Sequence, residues 1–141
     1  MLLGKRQILN AGRLKRGLTL IEITVVITVL MILVGMSMYA VGGYKEWKLG
    51  SEAAVELRRV YNAQRTYLAE NPTETVATLT AAKVIPYLSD GAAALPTVED
   101  MDGNNLNIKV DVSPPVIENT DGSTYDPSGK FDDGIWDVGG G

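Results

Sequence analysis

Between Glu22 and Lys45 stand 22 consecutive residues, Ile23 to Tyr44, without one charged side chain. As a helix rising ~1.5 Å per residue they span about 33 Å, enough to cross the hydrocarbon core of a bilayer. The apolar block runs from Leu18 to Val41, and Glu22 is its only charged residue. Residues 1–17 carry Lys5, Arg6, Arg13, Lys15 and Arg16 and no acid. Clustered positive charge before a membrane helix stays cytoplasmic, so the C-terminal part is expected outside. A cleaved secretory signal fits less well. The apolar run is too long for such a signal and contains a carboxylate, although Ala40-Val41-Gly42 offers a small-x-small pattern.

The 141-residue chain has a net charge of -4, which hides a segregation: from Glu99 onward its acids face only Lys109 and Lys130. It reads basic, then apolar, then mixed, then acidic. It has no Cys and no His. That removes disulfides, thiolate nucleophiles, the commonest general base and the commonest transition-metal ligand. Ser-His-Asp, Cys-His and zinc-site chemistries are therefore excluded. A metal would have to be held by oxygen, as calcium or magnesium is. Aromatic content is 6% and no basic patch lies beyond the first residues, so no nucleic-acid partner is expected.

No Pro interrupts Leu18 to Glu70. After the apolar block, Trp47, Ala53/Ala54, Leu57, Val60/Tyr61, Gln64 and Tyr67/Leu68 recur at three- and four-residue steps, which predicts one buried helix face. Asn71-Pro72 is the stop. A single helix over 18–70 follows, apolar all round in its first half and amphipathic in its second. Gly35, Gly42 and Gly43 are its weak points, since Gly costs roughly 1 kcal/mol against Ala in a helix. Thr78 to Leu88 reads as a short helix broken at Pro86, and Ser89 to Pro96 as a loop. Asp100 to Asn104 reads as a turn in which Gly103 supplies the positive φ. Leu106 to Val112 alternates strictly and is the clearest strand, ended by Pro114-Pro115. Val116 to Asn119 and Ile135 to Val138 are two further strand candidates on either side of a turn-rich stretch.

Glu22 demands a partner. A carboxylate within a membrane helix is costly, and no Lys or Arg in the block can offset it. The only candidate cation is a new α-amino group, created if the chain is cut before Leu18. Here the residues resemble a known family. Lys15-Arg16-Gly17 followed by Leu18-Thr19-Leu20-Ile21-Glu22 and a long apolar run is similar to the leader of type IV prepilins, shared by type IV pilins and the pseudopilins of type II secretion. The resemblance implies cleavage between Gly17 and Leu18 by a membrane prepilin peptidase and N-methylation of Leu18. It places Glu22 at the family's fifth mature position, with a role in assembly.

Asp126, Ser128, Asp132, Asp133 and Asp137 sit close together near the C-terminus, with Gly129 and Gly134 among them. Carboxylates, a hydroxyl and backbone carbonyls are what a hard cation needs. Without disulfides, metal binding is one way to order such a loop. Ser128 to Trp136 also resembles the C-terminal calcium loop of major pseudopilins, with acidic residues just before an Ile and a Trp. The resemblance implies calcium held by Asp126, Ser128, Asp132 and Asp133. The preceding loop, Asp100 to Asn105, departs from the Pro-Trp-Gly-Asn-Pro type of turn usual there.

The expected architecture is α+β and pilin-like: a long N-terminal helix, half membrane and half amphipathic, packed on a small antiparallel sheet. Residues 1–17 are read as the cleaved basic leader, 18–44 as the transmembrane and assembly half of the helix, and 45–141 as the extracytoplasmic domain. The expected function is structural, not enzymatic. The chain is read as a subunit that polymerises into a type II secretion pseudopilus, with a type IV pilin or a monomeric single-pass binding module as alternatives. The implied partners are copies of itself, the prepilin peptidase, inner-membrane assembly machinery and the membrane. The expected location is the inner membrane, then a periplasmic or surface filament.

Overall fold

The computed structural model describes Gly17 and residues 19–139. Helix α1 runs over Leu20–Glu70. Thr19 precedes it, and its Oγ1 accepts the Glu22 N–H at 3.2 Å, which satisfies one of the free amides of the first turn. Glu22 lies in that first turn, where the helix dipole favours a negative charge. α1 continues through Gly35, Gly42 and Gly43, and an added Cβ at any of the three would meet nothing within 4 Å. The chain divides into two compact units, one ending at Met38 and the other spanning Tyr39–Gly141.

Within the second unit α1 supplies the spine. It buries Leu49, Gly50, Ala53, Ala54, Leu57, Val60, Ala63 and Gln64, one face at three- and four-residue steps. Trp47, expected on that face, is instead 56% exposed, its ring 6.2 Å from that of Tyr44. The short helix expected over Thr78 to Leu88 is split into helix α2 at Ala81–Val84 and a 3-10 turn at Ile85–Tyr87, and another 3-10 turn at Val76–Thr78 leads into it. Pro86 sits near the start of the last turn, where its missing N–H is not needed. This segment is tied to the end of α1 by the Tyr87 hydroxyl, which donates to Glu70 Oε2 at 2.6 Å, and by the edge-to-face pair Tyr67–Tyr87 at 5.5 Å.

Strands β1 (Thr97–Glu99), β2 (Asn105–Lys109) and β3 (Val116–Glu118) form an antiparallel sheet in the order β1-β2-β3. The register sets Val98 opposite Leu106 and Ile108 opposite Ile117. All four are buried, and they join Leu57, Val60, Val84 and Trp136 in one core. Long helix on small antiparallel sheet is the expected α+β arrangement, with the buried half of α1 as the packed half.

Two strand expectations are corrected. β2 ends at Lys109 rather than Val112. Beyond it the carbonyls of Val110 and Val112 accept from Gln64 Nε2, each at 2.8 Å, so a buried side chain replaces a strand partner. Ile135 to Val138 is not a strand. Asp133 Oδ1 accepts the Ile135 N–H at 2.9 Å, and Asp137 Oδ1 accepts the Gly139 N–H at 2.6 Å. Trp136 between them has φ 64°. Carboxylates that bond backbone two residues ahead bend the chain into turns and compete with ladder pairing.

Candidate functional site

In the N-terminal unit, α1 has a surface that a water-soluble helix does not show. Every residue from Thr19 to Met38 is exposed. The Thr and Ser hydroxyls within this stretch of helix are satisfied locally. Thr24 Oγ1 donates to the Leu20 carbonyl at 2.8 Å, Thr28 Oγ1 to Thr24 at 2.7 Å and Ser37 Oγ to Leu33 at 2.8 Å. With hydroxyls turned onto the helix's own carbonyls, the remaining surface is apolar apart from Glu22 in the first turn, as a hydrocarbon solvent requires. α1 is long and apolar enough near the N-terminus to cross a membrane. Gly17 is exposed. Leu18 and the rest of the basic leader lie outside the described residues.

The C-terminal loop is built around Trp136, which is 2% exposed and packs edge to face on Tyr125 at 5.3 Å. The Tyr125 hydroxyl accepts the Met101 N–H at 3.0 Å, and the Met101 carbonyl accepts from Lys45 Nζ at 2.7 Å. The β1–β2 turn, the C-terminal loop and α1 are thus clamped together. Gly50 makes the clamp fit: a Cβ there would run into Ile135 Cγ2 and lie 2.9 Å from Trp136 Nε1. Sequence reasoning did not single out Gly50. Its signal was the small-residue spacing Gly50, Ala53 and Ala54 on one helix face.

The acidic residues of this loop are placed individually. Asp126 Oδ1 accepts from the Ser128 N–H at 3.0 Å, the Ser128 hydroxyl at 2.6 Å and the Gly129 N–H at 3.2 Å. Asp132 is exposed, and Asp133 caps Ile135 as described. Among the described residues no group of three or more acidic side chains is gathered closely enough to hold a metal. Two oxygens nevertheless lack a donor while shut off from solvent, Asp126 Oδ2 and Asp137 Oδ2. Burial raises the Asp137 carboxyl above its ordinary value, and the charges of Asp133, Asp126 and Asp132 push it the same way. The loop is a set of hard oxygen donors short of positive charge.

The Asp100 turn has no such shortage. Asp100 Oδ1 accepts the N–H groups of Asp102 and Asn104 at 2.9 and 2.8 Å, and Oδ2 accepts from Asn104 Nδ2 at 2.9 Å. Those hydrogen bonds, the Asn104 side chain first, hold its carboxyl below the ordinary value. Gly103 takes φ 89°, the positive value the turn was expected to need. Compared with protein-family models, with curated proteins and with solved structures, the chain matches none.

Proposed function

We propose that the chain is a structural subunit that polymerises, helix beside helix, into a pseudopilus of the type II secretion kind. The observation that carries this reading is the contrast along α1. Its first half is membrane-length, apolar and without a core, while its second half is the spine of a small domain. Such a helix sits in a bilayer before assembly and against its own copies afterwards. The prepilin-like residues support the same reading: cleavage between Gly17 and Leu18, methylation of the new amino group, and Glu22 paired with that amino group on a neighbouring copy. Each charge then offsets the other's desolvation and the pair fixes the stagger. The acidic C-terminal loop and the missing cysteines favour a pseudopilin over a type IV pilin. In this reading the subunit waits in the inner membrane, its domain outside the cytoplasm.

The test is co-expression of the chain with its assembly machinery, as wild type and as Glu22→Val. The wild type should form filaments of a subunit whose intact mass begins at methylated Leu18. Glu22→Val should insert in the membrane and assemble poorly. Normal filaments from that variant would leave Glu22 a helix-terminus residue only. A wild type that keeps its leader and stays monomeric would instead be an anchored module.

Calcium belongs to the same proposal, on the two unpartnered carboxylate oxygens. Asp126, Ser128, Asp132 and Asp133 would supply oxygen ligands, with Asp137 beside them, and the ion would supply the missing charge. Because no three acids converge without it, binding would have to draw the loop together. The expected result is a melting temperature raised by calcium on the order of 10 °C at ~100-fold excess over Kd, and far less by magnesium, which gives up water reluctantly. Superimposable melts in calcium, magnesium and chelator would remove the ion from the proposal.

A further inference from the structure

The uncharged and charged parts of α1 meet within a single turn, and that turn carries two large aromatic side chains that the core does not use. Tyr44 closes the uncharged run, and Lys45, Glu46 and Lys48 are the first charges after it. Tyr44 is 64% exposed and Trp47 56%, while the buried face of α1 begins only at Leu49. The two rings lie 6.2 Å apart, as neighbours three residues apart on one side of a helix do.

Tyr and Trp have an apolar body and one hydrogen-bonding tip. That combination suits neither water nor hydrocarbon but the layer between them. The headgroup layer on each side of a bilayer is about 5–7 Å thick. Three residues of helix advance about 4.5 Å, so one such layer takes both rings. Side chains on a helix lean toward its N-terminus, which turns both rings back toward the uncharged run.

Charge does not supply the attraction. Lys45 Nζ is engaged with the Met101 carbonyl at 2.7 Å. Lys48 lies 3.9 Å from Glu52, and Glu46 stands between the two lysines in sequence. Two cations and two acids share this part of the helix, so the rings are what it offers a partner.

We propose that Tyr44 and Trp47 form an interfacial anchor, both rings seated in the headgroup and carbonyl layer of the bilayer from which α1 emerges. The partner is a lipid surface of either charge. Continuity identifies it: the pair occupies the turn at which a membrane-length apolar helix becomes polar. The inference rests on the membrane reading of α1 and adds what fixes the depth of the helix. Because Lys45 ties the β1–β2 turn to this same turn of α1, the anchor also sets the height of the domain's nearest loop.

The test reconstitutes the full chain in phosphatidylcholine vesicles whose lipid is brominated either near the carbonyl or deep in the tail. Trp47 emission is the difference between wild type and Trp47→Phe. Shallow bromine should quench it several-fold more than deep bromine, and replacing part of the lipid by phosphatidylglycerol should leave that ratio unchanged. The chain has no Cys, so Gly43→Cys gives a second measurement that needs no Trp. It should react slowly with a membrane-impermeant maleimide, and Tyr44→Ala with Trp47→Ala should speed the reaction several-fold. Quenching by neither lipid, equal quenching by both, a ratio that follows anionic lipid, or a Gly43→Cys rate indifferent to loss of the rings would overturn the anchor. The membrane reading stands through any of these if the chain stays in the vesicles after an alkaline wash. A chain that the wash removes would overturn the two together.

Discussion

Helix α1 contains two solutions to the same problem of where to put apolar side chains. From Leu20 to Tyr44 they face outward on all sides and nothing among the described residues covers them. From Leu49 to Gln64 they occupy one face, and a sheet and a loop cover it. Hydrophobicity alone does not tell these apart. What differs is the rest of the circumference: a single charge in the first stretch, Glu22 in its first turn, and Glu52, Glu56, Arg58 and Arg59 in the second. A segment with no polar face has nothing to offer water and must take its solvent from a bilayer or from copies of itself.

The sharpest way to break this comparison is a pair of identical truncations. Leu57 is fully buried and Leu30 is 54% exposed. In detergent-solubilised chain, Leu57→Ala should cost roughly 2–5 kcal/mol, a drop in melting temperature on the order of 10–20 °C. Leu30→Ala should leave the melt where it was and show its effect only in assembly. Equal melting shifts would mean that the first half of α1 has a core of its own.

Glycines give a second pair. Gly50→Ala gains helix propensity but forces a methyl into Ile135 and Trp136. The net loss expected is about 1–3 kcal/mol, read as a lower melting temperature. Gly42→Ala meets nothing and should be neutral or slightly stabilising in the isolated chain, since Ala is the better helix former. If both changes behave alike, close approach is not what Gly50 provides.

The smallest expected effect contrasts the two acidic turns. Asp137 is raised above 3.8. Between that value and its native one, the unfolded chain carries a charge that the folded chain does not. Its contribution therefore falls as pH rises through this window and stays lower above it. Asp137→Asn keeps the carbonyl acceptor and should raise the melting temperature by a few degrees at neutral pH in chelator, and change nothing near pH 3. Asp100 is lowered from 3.8, so its contribution is present above that value and is lost as pH falls through the native one. Asp100→Ala should destabilise at neutral pH. A melt in which both variants move the same way would contradict these environments.

Much of this architecture was legible from pattern. The bounds of α1, the β3 strand and the Gly103 turn follow from period, Pro placement and turn chemistry. Three things escaped. β1 is only three residues long, too short for alternation to register. The end of β2 is set by Gln64, a contact 46 residues away. Ile135-Trp136-Asp137-Val138 has strand composition, but Asp133 and Asp137 bind the backbone locally and override it. At the candidate site, the clustering of acids was readable, whereas the separate turn duties of Asp126 and Asp133 were not. Those duties depend on backbone amides that sequence spacing does not display.

The chain carries two tryptophans, and the fold places them in opposite optical surroundings. Trp47 is 56% exposed, while Trp136 is 2% exposed against the ring of Tyr125. Their emission should therefore separate into a red, acrylamide-quenched component and a blue, protected one. The blue component reports closure of the C-terminal loop on α1 without any added label. Loss of that light while helical circular dichroism persists would mark a chain whose spine is formed and whose last segment has come undone.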